Sequence, residues 1–368
     1  MNSILDPLRR ARQQIRRAIR VLRWGTSALP NIGVELSGKS KRLLIVYDLS
    51  SQPFSIGDIL VFQEASLVLR AQHNLGKVDM AIVYDPNRPV APDPAFREID
   101  AESFLFHLSS ILPAAQVNPH LGSVLLFDSH RQLEGYIADN ADVYFVWPSL
   151  SQYALGHYLF YYCFNELFRN HFERYGSLPP LQSRPAALRW AEQFIVEHVG
   201  AALPVTVQLR SNKINPARNS KIDAWIAFFQ RCAEQYDAKF IVICGAAEVD
   251  ARLRGLPGVI VAKEHCTTLE QDLALLEAGA IHMGASSGPG AMLVFSNKPY
   301  CMFNWDLNLD SIQGLIKEDH RYRFRFSTPM QNWLFGVETA ELLVVEFERM
   351  WKTIKRSHSN DHPGSITA

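Results

Sequence analysis

The sequence predicts an α/β protein of two Rossmann-like, doubly wound domains, and three observations carry that expectation. Short β-branched runs alternate with longer helical patterns; the alternation breaks at Gly176-Ser177-Leu178-Pro179-Pro180 and then restarts; and 368 residues suffice for two domains of ordinary size.

In the first half, Leu43–Leu49, Val78–Tyr84, Val124–Phe127 and Val143–Trp147 read as strands, separated by helical patterns over about 58–74, 101–112 and 130–138. Their apolar runs are continuous rather than alternating, as strands covered on both faces of a parallel sheet require. An aromatic helix over about 151–174 leads into the break. The stretch 143–165 lacks Asp, Glu, Lys and Arg, but Pro148, Gly156 and its polar residues make it a strand followed by a helix rather than a membrane span. A helix over about 185–199 opens the second half. Strands follow at Val205–Leu209, Phe240–Cys244, Val259–Ala262, Ala280–Met283 and Tyr300–Phe303, with helices near 221–236, 268–278 and 289–296 and an amphipathic helix over 338–354. The expected domains are therefore a basic amphipathic helix at 1–24, Rossmann-like domains at 42–176 and 185–336, a C-terminal helix at 337–356 and a disordered tail at 357–368. A ligand cleft is expected between the carboxyl ends of the two sheets.

With 48% hydrophobic residues the chain can bury a core, which excludes a disordered or fibrous protein, and zero net charge argues against a uniformly basic nucleic-acid binder. That zero is a sum of opposites. Residues 1–24 hold seven arginines against Asp6 alone, leaving 30 basic and 36 acidic side chains elsewhere. After Asp6-Pro7, Leu8, Ala11, Ile15, Ala18, Ile19 and Leu22 form one apolar stripe flanked by arginines and closed by Trp24, which suits a helix lying on an anionic membrane surface. The same segment also suits packing on its own domain or a partner subunit. Five scattered cysteines without a Cys-x-x-Cys pair fit a reduced chain, and the expected location is the cytoplasm, peripheral to the inner face of the cell membrane.

Gly33–Ser40 satisfies the G-x-x-x-x-G-K-[ST] pattern, but a strand follows it instead of preceding it, so it is not read as a nucleotide-binding loop. The Gly-x-Gly-x-x-Gly fingerprint of dinucleotide enzymes is absent. The strongest chemical signal is Ile281–Gly290, an apolar strand ending in Gly284-Ala285-Ser286-Ser287-Gly288 and re-entering a helix near Pro289. Backbone N–H groups, the Ser286 and Ser287 hydroxyls and the helix dipole would cradle a phosphate there; a tight strand-to-helix connection explains the same residues. Arg210 and Arg218 flank the first loop of the second domain, where a guanidinium can hold a phosphate with two hydrogen bonds, although either arginine alone more often forms a surface ion pair. Asp58, in Ser55-Ile56-Gly57-Asp58, stands where it can accept a proton from an acceptor hydroxyl or cap the helix that follows. Lesser candidates are Gly245 and Glu264 for a nucleoside, and Ser55, Gly57 and Arg323 for an acceptor; Arg323 belongs to an alternating stretch, His320–Phe326, that reads more simply as a solvated edge strand. Tyr153, Tyr158, Tyr161 and Tyr162 suit an acceptor site or core packing. No cluster has metal-ligand spacing, and neither a metal nor a cofactor is expected.

These residues resemble the GT-B glycosyltransferases. Ser55-Ile56-Gly57-Asp58-Ile59 is similar to the Gly-Asp loop of the heptosyltransferases, and Gly284–Pro289 to their Ser-Gly phosphate loop; Gln208-Leu209-Arg210 with Arg218-Asn219 also resembles bacterial surface-polysaccharide glycosyltransferases. The resemblance implies sugar transfer from a nucleotide sugar, bound by the second domain, to a lipid-linked or surface-glycan acceptor at the first. Asp58 would then be the base of an inverting, metal-independent displacement, Arg210 would stabilise the leaving diphosphate, and Gly284, Ser286, Ser287, Gly288 and Arg218 would hold its phosphates. Heptosyltransferases carry Asp and His where this chain has Ser286 and Ala291, which points to a donor other than ADP-heptose. The alternatives are a sugar-nucleotide epimerase or hydrolase of the same fold, and a non-catalytic glycan-assembly protein.

Overall fold

The structure, a computed structural model, describes residues 41–53, 55–84, 108–109, 112–148, 159–212, 216–304 and 312–360. The basic segment 1–24, the Gly33–Ser40 motif, Tyr153 and Tyr158, and most of the helix expected at 101–112 lie outside these. The chain divides into two compact units, Met1–Pro179 and Pro180–Ala368.

The first unit holds β1 (Arg42–Asp48), α1 (Ile56–Gln72), β2 (Val78–Val83), β3 (Leu121–Phe127), α2 (His130–Asp139) and β4 (Tyr144–Trp147). The strands form a four-stranded parallel sheet in the order β3-β2-β1-β4. Both faces are covered, which is why β1 reads as an unbroken apolar run. Alternation of Cβ directions sends Leu44 and Val46 toward α2, where Leu133 and Ile137 meet them. Tyr47 points the other way and packs edge-on against Phe62 of α1, ring centroids 4.8 Å apart. The aromatic helix is recovered as α3 (Leu159–Tyr162) and α4 (Arg169–Tyr175), joined through a π-helical stretch, Cys163–Phe168. Strand β3 begins three residues before its expected start, because it is a half-exposed edge strand opening with Leu121-Gly122-Ser123, which carries little apolar signal.

The second unit contains α5 (Pro185–His198), β5 (Leu203–Gln208), α6 (Ile222–Gln235), β6 (Ala238–Ile243), β7 (Val259–Val261), α7 (Leu269–Ala278), β8 (Ile281–Ala285), α8 (Ala291–Val294), β9 (Tyr300–Phe303), β10 (Ile316–Glu318), β11 (Arg321–Arg323), β12 (Gln331–Leu334) and α9 (Ala340–Asn360). The sheet order is β10-β11-β12-β9-β8-β5-β6-β7. Its six parallel strands, counted by their appearance in the chain, run 3-2-1-4-5-6, the Rossmann order. Trp225, Phe228, Phe229 and Cys232 form the stripe that α6 buries against Val205, Val207, Phe240 and Val242, and α9 closes the same core with Leu343, Phe347 and Met350.

Four local expectations change. The helix expected over 289–296 is one turn, α8. The stretch around Arg321–Arg323 is not an edge strand: β11 pairs with β10 on one side and β12 on the other. Strand β12 escaped notice because its first two buried residues, Gln331 and Asn332, are polar; the Gln331 amide nitrogen donates to the Ser296 carbonyl at 2.5 Å. The tail expected to be disordered from 357 is helical to Asn360, since neither Pro nor Gly interrupts it before Pro363.

Candidate active site

In a sheet of this order, strands β5 and β8 leave in opposite directions from the centre, and ligands of such sheets settle in the crevice at the carboxyl ends of that pair. Gln208, the last residue of β5, lies beside Gly284 of β8. Gly284 has φ +142°, and a Cβ there would stand 2.2 Å from the Gln208 carbonyl oxygen and 2.6 Å from its nitrogen. Its glycine is thus required by strand packing at the base of the loop, a different task from the phosphate contact expected of it. Ser286 continues the β8–β9 ladder through its N–H to the Phe303 carbonyl, 2.8 Å, and is buried; Ser287 is half-buried beyond it.

The described ends of the loop after β5 are tied to each other. Ser220 and Arg210 exchange bonds, Ser220 N–H to the Arg210 carbonyl at 2.9 Å and Arg210 N–H to the Ser220 hydroxyl at 3.1 Å. The Asn219 side chain holds both the N–H and the carbonyl of Asn212, each at 2.9 Å. From this loop, Arg218 reaches across and donates through Nη2 to the Ser286 carbonyl at 2.7 Å, with the Ser286 hydroxyl at 3.4 Å. Arg210, Arg218 and the Ser286-Ser287-Gly288 turn are therefore brought to one place. The helix dipole expected behind the turn is weak, because α8 spans four residues and starts at Ala291 rather than Pro289. The longer helix there, α6, has its N-terminus occupied by the protein's own anion: the Lys221 N–H donates to Glu338 at 2.5 Å. Burial pushes the Glu338 carboxyl above its ordinary range, and that hydrogen bond opposes the shift. No local pattern links Glu338 to a helix more than 100 residues earlier.

Gly245 and Glu264 sit at the carboxyl ends of β6 and β7, two neighbouring strands. Nothing demands glycine at 245, where a Cβ would come no closer than 3.5 Å to Glu248. Glu264 is exposed and pairs with Arg254 at 3.0 Å, while Lys263 turns inward to Asp272 at 2.6 Å. Arg323 belongs to the antiparallel hairpin of this unit, where its guanidinium meets Glu318 of the paired strand at 2.7 Å.

In the first unit, Ser55 is the N-cap of α1: its hydroxyl accepts the Asp58 N–H at 3.2 Å and donates to the Asp58 carboxylate. Asp58 is 8% exposed; the cap foreseen for it is supplied by Ser55 instead, and the Asp58 carboxylate is held by the Ser55 hydroxyl in the first turn of α1, at the carboxyl end of the sheet. Gly57 is half-buried in the same turn. A second pair, Asp48 with His130, went unforeseen; the His130 Nε2 and Asp48 Oδ2 lie 2.6 Å apart with both residues buried.

No protein-family model matches this sequence, and no curated protein matches it. Solved structures do. The ADP-heptose lipopolysaccharide heptosyltransferase II of E. coli aligns over 86% of this chain and 99% of its own, with a TM-score of 0.50 at 11% identity. The two units carry the Rossmann sheets of the GT-B fold. A family 9 glycosyl transferase from Veillonella parvula aligns over 84% of this chain and 89% of its own, at 11% identity and a TM-score of 0.48. In this GT-B chain the Ser286–Gly288 turn and the Ser55–Asp58 turn each stand at the carboxyl end of their own sheet, the end at which such sheets take ligands.

Proposed function

We propose that the protein is a glycosyltransferase that moves a sugar from a nucleotide-sugar donor to a lipid-linked or surface-glycan acceptor. The observation that carries the reading is the grip of Arg218 on the Ser286 turn at the β5/β8 switch point, beside Arg210. Two guanidinium groups and the turn's backbone N–H groups form a cationic seat for a diphosphate, and negative charge on that diphosphate grows as the glycosidic bond to it breaks. Arg210 stabilises that charge and Arg218 holds the turn in shape. In the first unit Asp58 takes the acceptor hydroxyl's proton, and direct displacement inverts the anomeric centre. Closure of the α6 N-terminus by Glu338 favours the Ser286 turn as the phosphate seat.

The arginine-flanked apolar stripe of residues 1–24 supports docking on an anionic membrane, where each basic side chain contributes roughly 1 kcal/mol. Among the described residues no helix is long and apolar enough to cross a membrane. A thermal-shift screen against nucleoside diphosphates and nucleotide sugars tests the donor seat: stabilisation by a nucleoside diphosphate that is lost in Arg210→Ala is expected, and no stabilisation by any of them overturns the reading. Co-sedimentation with anionic liposomes tests the membrane step, and equal binding with and without residues 1–24 refutes it.

A further inference from the structure

Residues Leu44, Val46 and Asp48 occupy alternate positions of β1, and His130, Leu133 and Ile137 follow one stripe of α2. Leu44, Val46, Leu133 and Ile137 share one apolar cluster, so Asp48 and His130 stand at the carboxyl end of that packing seam, where the pattern calls for two more apolar side chains. The chain places a hydrogen-bonded carboxylate and imidazole there, 1% and 4% exposed, with Nε2 and Oδ2 2.6 Å apart. A buried pair of this kind is no better for stability than well-packed apolar residues. It does something apolar residues cannot.

Asp48 organises the chain that follows. Its Oδ1 accepts the Ser50 N–H at 2.8 Å, and its backbone carbonyl accepts the N–H groups of Ser51 and Gln52 at 2.9 and 2.8 Å. Farther along, the Tyr47 hydroxyl donates to the Pro53 carbonyl, and the Ser55–Asp58 cap starts α1. Among the described residues, the end of β1 thus supplies the partners of Ser50, Ser51, Gln52 and Pro53, while the Leu49 N–H goes to the Val83 carbonyl of β2 and the Gln52 side chain accepts the Leu159 N–H of α3; Asp48 is itself fixed by His130 of α2. Burial alone would push the Asp48 carboxyl up, but the His130 and Ser50 contacts outweigh it and hold the carboxyl below its ordinary range, so it remains an anion able to hold these donors.

We infer that Asp48 and His130 are a positioning pair that sets the turn carrying Ser55 and Asp58, and thereby the place from which Asp58 receives the acceptor proton. The inference rests on the glycosyltransferase reading for its catalytic consequence, but its geometric content stands without it. A base displaced by about 1 Å costs up to roughly a hundredfold in rate, with little effect on donor binding.

The test uses the full-length chain with Asp58→Asn, His130→Leu and His130→Gln. Two quantities are followed: amide hydrogen exchange over residues 50–58, and release of nucleoside diphosphate from a panel of nucleotide sugars in the presence of a lipid-linked glycan extract. In His130→Leu, exchange at Ser50, Ser51 and Gln52 should quicken and kcat should fall at least tenfold with the donor KM unchanged. His130→Gln, whose amide N–H can replace Nε2 as donor to Asp48, should restore most of both. Exchange in His130→Leu equal to wild type overturns the inference, as does a kcat no lower than wild type, or a glutamine variant no better than leucine when both are folded. Turnover surviving in Asp58→Asn removes Asp58 as the base, and no consumption of any nucleotide sugar overturns the transferase reading; in either case the exchange measurement decides the positioning role.

Discussion

Gly284→Ala separates two explanations of one glycine, a phosphate-binding residue and a packing residue. The added Cβ would lie 2.2 Å from the Gln208 carbonyl oxygen, about 1.2 Å short of the 3.4 Å at which ordinary contact begins, and the obstacle is backbone that cannot rotate away. Relief requires β5 and β8 to part at the Gln208–Gly284 register, in the middle of the sheet. Overpacking of this kind costs about 1–3 kcal/mol. Holding alanine at φ +142° adds about 1–3 kcal/mol more. A total of about 2–6 kcal/mol is a large share of the roughly 5–15 kcal/mol that stabilises a domain. With a urea slope of about 2 kcal/mol/M, the midpoint of the second unit should fall by roughly 1–3 M. Urea titration of the whole chain, followed by far-ultraviolet circular dichroism and tryptophan fluorescence, reads the shift. Gly245→Ala, which meets no atom within 3.4 Å, serves as the control and should change stability by less than about 0.5 kcal/mol, a midpoint shift of less than about 0.25 M. A Gly284→Ala variant with an unchanged midpoint but lost nucleoside diphosphate binding would refute the packing argument and restore the direct phosphate role.

Three further outcomes are expected. Glu64, fully buried in α1 with neither carboxylate oxygen hydrogen-bonded among the described residues, has its carboxyl pushed well above the ordinary range by burial. The folded chain therefore keeps a proton that the unfolded chain releases: this contribution is intact below about pH 4.5 and declines by about 1.4 kcal/mol per pH unit as pH rises toward the folded value. Glu64→Gln should gain stability over wild type from pH 5 to 8 in urea titrations, and parallel profiles would contradict this. Arg321 donates to the fully buried Glu346 at 2.6 and 3.0 Å, with Arg349 as a second partner at 3.1 Å. Arg321→Leu should cost about 2–3 kcal/mol, less than the loss of an only partner, and a midpoint within error of wild type would show that Arg349 suffices. Asp58→Asn should abolish transfer while leaving donor affinity, measured by calorimetry, within about twofold; wild-type turnover would remove Asp58 from the chemistry.

Much of the architecture was legible because helix and strand periodicity are local properties. The strand at Tyr300–Phe303 falls where its apolar run places it, and α6 and α9 show their buried stripes in the sequence. Where side-chain character and fold disagree, the reading failed: β12 is buried but begins with Gln331-Asn332, and β10 and β11 are three-residue strands joined by a tight turn in which Asp319, not glycine, takes positive φ. For the candidate site, Ser55, Asp58, Arg210, Arg218 and Ser286 could be named from their position after strands. What each touches could not.

The sequence by itself determined that there are two α/β units, which loops follow strands, and which of those loops carry arginine, serine and aspartate. Only the tertiary structure decided that β5 and β8 adjoin, that Arg218 seizes a carbonyl 68 residues away, that Glu338 closes α6, and that His130 meets Asp48 across 82 residues. The division has one physical origin. Periodicity and turn chemistry are set by neighbours a few residues apart, whereas strand order and cross-sheet hydrogen bonds depend on which distant segments bury each other's surfaces, and that is settled only when the whole core forms.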